Sequence, residues 1–209
     1  MTEAAWAGWL AAFMLLAFLV SNGLRGLGVP FYISRKVVHF GAGVPIGVSP
    51  WVFSEPYYIL GLAIAFLLLL AVTHNWDFFP GCARKGRWSE LWFPISVAVS
   101  IASLWHVSPK AAVVPGLWLA FGDGITGLVR MAVNRREEKG WAGSAACFVA
   151  CAAVAVLVQP LWVGLLGSVA ATLAERFCGD ARGSWIRLDD NIAMPMAGLA
   201  VIGPLVAWV

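Results

Sequence analysis

The chain has 209 residues, of which 61% are hydrophobic and 12% charged, and its formal net charge is +3. A water-soluble fold of this length could not cover so much apolar surface, which excludes an ordinary soluble enzyme and identifies lipid as the solvent. Spanning helices of about 20 residues each consume most of the chain, so any chemistry belongs within or just above the bilayer, and the small net charge gives no basis for nucleic-acid binding.

Apolar runs between charged or Pro/Gly breaks predict helices near 5–22, 38–53, 57–73, 91–105, 111–130, 143–158, 161–175 and 192–208. This reads as an all-α polytopic integral membrane protein with 7–8 transmembrane helices, a single transmembrane catalytic domain over residues 1–209. The first run, Trp6 to Val20, has no basic leader before it and no small-residue cleavage site after it, and is expected to be retained. The second carries Gly41, Gly43, Pro45 and Gly47; a broken, half-inserted segment there would lower the count to seven. The twelve Trp and three Tyr suit interfacial belts. Cys82, Cys147, Cys151 and Cys178 lack C-x-x-C or zinc-ligand spacing and read as small apolar residues.

With eight spans, thirteen of the fourteen Lys and Arg fall on one side of the membrane. They are Arg25, Arg35, Lys36, Arg84, Lys85, Arg87, Arg130, Arg135, Arg136, Lys139, Arg176, Arg182 and Arg187, against Lys110 alone on the other side. The positive-inside rule makes that side cytoplasmic. Asp77, Glu90, Asp123, Glu137, Glu138, Glu175, Asp180, Asp189 and Asp190 gather in the same half, leaving Glu3 and Glu55 opposite. Mixed charge at one face over an apolar body is what a charged, water-soluble substrate acting on a lipid would need.

Four groups on that face carry the candidate chemistry. Arg35 and His39 are i and i+4 in a helix and could converge on a phosphate; a snorkelling basic anchor is the plain alternative. Glu90 opens a span beside a basic loop and could ligate a metal or orient a base, with a helix N-terminal cap the preferred reading. Asp123 is a lone carboxylate in an apolar run, and Gly122, Gly124 and Gly127 around it permit close approach of a helix, a phosphate or a metal. Beyond it, Lys139, Gly143 and Ser144 offer an ammonium, backbone N–H groups and a hydroxyl to a phosphate chain, although no Walker A spacing is present. Finally, after Glu175, two carboxylates and an amide, Asp189, Asp190 and Asn191, open the last span and supply the hard oxygen donors that Mg²⁺ prefers; a cap by Asp190 or Asn191 would account for one of them but not for both carboxylates.

In order and spacing these residues resemble the family of CTP-dependent membrane lipid kinases that includes dolichol kinase, phytol kinase and the CTP-using diacylglycerol kinase, distantly related to phosphatidate cytidylyltransferases. R-K-x-x-H is met by Arg35, Lys36 and His39, and the E-L-[YW]-F-P element by Glu90 to Pro94. Gly122 and Asp123 meet the G-D helix; Lys139, Gly143 and Ser144 meet K-x-x-x-G-S; Glu175, Asp190, Asn191 and Pro195 meet the E…D-N-x-x-x-P close. The resemblance implies transfer of a phosphoryl group from CTP to the hydroxyl of a membrane isoprenoid alcohol (phytol, geranylgeraniol or a polyprenol) at the cytosolic face of the cell or inner membrane. It implies Mg²⁺ on Asp123, Asp190, Asn191 and Glu175, and phosphate contacts from Arg35, Lys36, Gly122, Gly124, Lys139, Gly143 and Ser144. His39 or Glu90 would accept the alcohol proton.

Two positions depart from the family pattern: Ala142 stands where Glu is common, and Arg130 where Gly is common. The alternatives are cytidylyl transfer to a phosphatidate-like lipid, diacylglycerol phosphorylation, and a non-enzymatic transporter. Against the first, the run Gly183 to Asp190 lacks the K-D and H-G-G…D-R-x-D pattern expected of cytidylyltransferases. Against the last, no internal repeat is visible and the polar groups crowd one face.

Overall fold

A computed structural model of the chain describes residues 1–73, 76, 78–81, 88–134, 138–179 and 186–208. Every named element among them is helical. In chain order these are α1 (Glu3–Gly26), α2 (Phe31–Val52), α3 (Tyr57–Thr73), α4 (Ser89–Leu104), α5 (Pro109–Leu117), a π-helical turn (Trp118–Asp123), α6 (Gly124–Asn134), α7 (Trp141–Val154) with a 3₁₀ extension (Ala155–Leu157), α8 (Leu161–Phe177) and α9 (Asp190–Trp208). The eight apolar runs each fall on a helical rod, the fifth being α5, the π turn and α6 joined end to end. Three helical stretches, Glu3–Gly26, Pro109–Val133 and Asp190–Trp208, are long and apolar enough to cross a membrane, and Tyr57–Thr73, Ser89–Leu104 and Trp141–Leu157 are apolar but shorter. Large apolar side chains such as Trp9, Leu19, Leu68, Val149 and Leu166 are exposed along these helices, as suits a surface that faces lipid.

The second run corrects one expectation. Despite Pro45 and Pro50, α2 is continuous over 22 residues. Its glycines are contact points rather than breaks: a Cβ on Gly41 would stand 2.5 Å from Ala17 Cβ, and one on Gly43 2.7 Å from the Phe121 ring. Close approach of neighbouring helices secures the rod where proline weakens its own hydrogen bonding.

The core is organised on Trp118, which departs from the aromatic-belt expectation together with Trp105; both are buried. The Trp118 indole N–H donates to the Cys151 carbonyl at 2.9 Å, so its one polar atom is satisfied. Gly167 of α8 and Gly198 of α9 lie against its ring, where a Cβ would stand 2.4 Å and 2.2 Å away. Gly198→Ala is therefore expected to destabilise the protein by about 1–3 kcal/mol through overpacking. Thermal unfolding of the detergent-solubilised protein measures this, and an unchanged midpoint would remove Trp118 from its place as the packing centre. The cysteines agree with their apolar reading: Cys147, Cys151 and Cys178 are buried.

With α5, the π turn and α6 counted as one rod, consecutive rods alternate in direction, which collects the N-termini of α2, α4, α7 and α9 and the C-termini of α1, α6 and α8 at one end. Ser21 of α1 donates to the Ser34 carbonyl of α2 at 2.8 Å, and Asn191 of α9 donates to the Ser89 carbonyl of α4 at 2.8 Å. At the other end the polar contacts are sparse, with the Ser54 amide and hydroxyl donating to Glu3 at 2.9 and 2.7 Å.

Candidate active site

Asp123 closes the π-helical turn, a local widening of the helix that recurs at functional positions. The turn directs the carboxylate at α2, where Lys36 and His39 stand i and i+3 on one face. Lys36 Nζ donates to Asp123 Oδ2 at 2.6 Å. His39 Nδ1 lies 3.3 Å from the same oxygen but without the alignment of a hydrogen bond, and the imidazole packs edge-on to Phe93 with ring centroids 5.2 Å apart. All three residues are buried.

A second set of charges adjoins the first. Glu175, near the end of α8, is fully buried and accepts from the Arg130 guanidinium of α6. Lys139, just before α7, donates to the Glu175 carbonyl, lies 3.4 Å from Glu175 Oε1, and reaches Asp190 Oδ2 at 3.2 Å. Carboxylate oxygens of Asp123, Glu175 and Asp190 lie within 4.8 Å of one another. Three carboxylates thus face three cations, Lys36, Arg130 and Lys139, and the pairing offsets the several kcal/mol that burying each charge alone would cost. Glu175 Oε2 and Arg130 Nε have no hydrogen-bond partner among the described residues.

The glycines divide differently from their sequence reading. A Cβ on Gly122 would stand 2.6 Å from Met194 Cε and 2.7 Å from Cys151 Sγ; on Gly124, 2.8 Å from the Phe40 ring; on Gly127, 2.6 Å from Lys36 Cε. Side chains already fill the space that a phosphate would take, so Gly122 and Gly124 serve helix packing. Gly127 lets the Lys36 stem reach Asp123. Gly143 backs onto the Arg130 side chain, at 3.0 Å from its Cγ to an added Cβ, and Ser144 Oγ points back to the Gly140 carbonyl at 3.4 Å.

At the start of α9 the cap is Asp189, not Asp190 or Asn191: its carboxylate accepts from the Asn191 amide at 2.9 Å and its carbonyl from Ala193. Burial pushes the Asp189 carboxyl above its ordinary range, against the Ser89 and Asn191 hydrogen bonds that pull it down. Asp190 is thereby left to Lys139. Asn191 ties α9 to α4, its side-chain NH₂ donating to Ser89 and its carbonyl accepting from Ser96 at 2.9 Å. Gly179, with φ +107, brings the backbone within 3.1 Å of Asp190 Oδ2 and 3.3 Å of Lys139 Nζ as measured from an added Cβ, a backbone conformation that favours glycine. Burial also raises the thiol of the adjacent Cys178, against the pull of Lys139.

Glu90, in the first turn of α4, does not make the expected cap at full strength: it is buried, and its Oε2 has no partner among the described residues. With Arg35, His39 and Asn191 it forms the polar end of a cavity whose other lining residues are apolar. Arg35 and His39 do share a face, that of the cavity, while Lys36 and His39 converge on Asp123. The structure therefore brings Asp123, Lys36, His39, Lys139, Glu175 and Asp190 together. Arg130, read from sequence only as a basic residue and a family departure, belongs with them; its signal was its spacing, two helical turns beyond Asp123 on the same face. Asp77, Cys82, Arg84, Lys85, Arg87, Arg135, Arg136, Glu137, Asp180, Arg182 and the stretch 183–185 lie outside the described residues.

Among the described residues, a helical body with exposed apolar flanks and one buried, charge-dense end fits a membrane protein. Comparison with known proteins gives the same class. The chain is 26% identical, over an alignment of 216 residues covering 96% of it and 89% of the relative, to a phytol kinase from Synechocystis sp.. At the level of family, this bears out the resemblance to the CTP-dependent membrane lipid kinases. No family model and no solved structure matches the chain.

Proposed function

We propose that the chain is a single-domain, multi-pass kinase of the cell or inner membrane. It transfers the γ-phosphoryl group of CTP to the hydroxyl of an isoprenoid alcohol such as phytol, geranylgeraniol or a polyprenol, at the cytosolic face. One observation carries this reading: the buried cluster of carboxylates and cations adjoins an apolar cavity, and His39 belongs to both. The basic residues at that end support its cytosolic placement, and the phytol kinase relative supports a prenol-type acceptor.

The donor set fits a divalent cation. Asp123, Glu175 and Asp190 present hard oxygens within 4.8 Å of one another, and Glu175 Oε2 is unpartnered. Mg²⁺ held there would neutralise phosphate charge during transfer. Lys36 and Lys139, now on carboxylates, would exchange those partners for triphosphate oxygens, with Arg35 beside them. Glu90 orients the acceptor alcohol. Its oxygen bonds to the γ-phosphorus while the bond from that phosphorus to the β–γ bridging oxygen breaks, CDP leaves with the electron pair, and the hydroxyl proton passes to His39. Asp123, 3.3 Å from Nδ1, stabilises the imidazolium that results.

Purified protein incubated with Mg²⁺, candidate alcohols or diacylglycerol, and CTP labelled at the γ or the α position tests the reading. Label from γ alone in a prenol supports it, and label from γ in diacylglycerol alone corrects the acceptor. Label from α replaces kinase with cytidylyl transfer, and no label in any lipid removes the enzyme reading.

A further inference from the structure

The cavity beside His39 is lined on four sides by α1, α2, α3 and α4, and its polarity is confined to one end. Along α2 the lining runs from Arg35 and His39 to Pro45 and Ile46, roughly 16 Å at 1.5 Å per residue. Because α1 and α3 run against α2 and α4, the lining residues farthest from the polar end are Leu10, Ile46, Ile59 and Val97. Ile46 and Val97 meet over Gly116 of α5, where an added Cβ would stand 3.3 and 3.1 Å from their methyl groups. The far end is thus walled by apolar side chains.

The near end holds a buried polar atom without a hydrogen-bond partner among the described residues, Glu90 Oε2, beside the imidazole of His39, whose Nδ1 faces Asp123 at 3.3 Å. Buried polar atoms of this kind ask for a ligand group. Walls that are apolar everywhere else leave a hydroxyl only one place to go, the polar end.

Resting on the kinase reading above, we propose that this cavity holds the acceptor as a single prenyl chain, its hydroxyl at Glu90 and His39 and its tail toward Leu10, Ile46, Ile59 and Val97. Those four residues are the gauge of chain length, and Ala63, midway along α3, sets the bore. A single apolar cleft between four helices favours one unbranched or methyl-branched chain over a two-chain lipid.

The test compares kcat/KM for geraniol, farnesol, geranylgeraniol and phytol in the full chain. Ala63→Phe is expected to lower the ratio of geranylgeraniol to geraniol by about tenfold or more, and Ile59→Ala to raise it, since a pocket change of one to a few methylenes is worth at least that much. Ratios unchanged in both variants, with the wild type active, overturn the gauge and leave the kinase reading standing. Occupancy is read separately in the wild type with a geranylgeraniol analogue carrying a tail diazirine. Crosslinks at the α1 and α3 lining that farnesol competes away support the site even if no alcohol is phosphorylated. Crosslinks confined to outward-facing residues overturn it, and so does competition by diacylglycerol alone.

Discussion

Asp123→Asn is expected to lower γ-phosphoryl transfer at least a hundredfold, by about the amount lost when one charge-stabilising group is removed from a preorganised site, while the protein still inserts in the membrane. The substitution preserves shape and removes one charge. Among the described residues that charge is the only carboxylate on Lys36 and the contact for His39 Nδ1, and it is one of the three oxygen donors grouped within 4.8 Å. Under the mechanism proposed above, its loss would touch phosphate binding, proton acceptance and the metal position together, and is expected to fall on kcat as well as on KM. Leaving Lys36 buried without its partner also costs stability, about 3–5 kcal/mol for a broken buried pair, so membrane yield and the unfolding midpoint are measured alongside. Asp123→Glu keeps the charge and displaces it by one methylene, and is expected to fall between the two. Near-normal transfer by Asp123→Asn in protein of normal yield would remove Asp123 from the centre of the site.

Much of this arrangement is legible in the sequence, for identifiable reasons. Apolar runs bounded by charges mark the rods because burying polar backbone in lipid leaves helix as the solution. A carboxylate such as Asp123 within such a run is conspicuous because its cost demands a partner. The choice of partner is not legible. Lys36 rather than Arg35 meets Asp123 because Gly127 opens the path for its stem, and Asp189 rather than Asp190 caps α9 because Ser89 and the Asn191 amide hold it. Gly122 and Gly124 read equally as phosphate cradle or packing surface, and only the positions of Met194, Cys151 and Phe40 decide. The cavity leaves no trace in any one segment: it exists where faces of four helices fail to meet, each face being as apolar as its surroundings.

Arg130 shows what such pairing is worth, and its removal is the second large effect. Arg130→Met is expected to destabilise the protein by about 3–5 kcal/mol, because Glu175 is fully buried and loses its guanidinium partner, keeping among the described residues only Lys139 at 3.4 Å. Glu175→Leu should cost a similar amount by stranding Arg130. The double variant is expected to recover most of the loss, since two apolar residues of similar volume need no ionic compensation. In a double-mutant cycle the two changes are then strongly non-additive, and thermal unfolding in detergent reads the coupling. Additive losses would show that the pair is incidental to the fold. Activity separates stability from chemistry: the double variant regains its midpoint but not transfer, because it lacks one of the three clustered carboxylates. Arg130→Lys discriminates further. An ammonium keeps the charge on Glu175 but loses the planar fork that spans α6 and α8, so it is expected to retain insertion with reduced stability, and a variant indistinguishable from wild type would reduce Arg130 to a counter-charge.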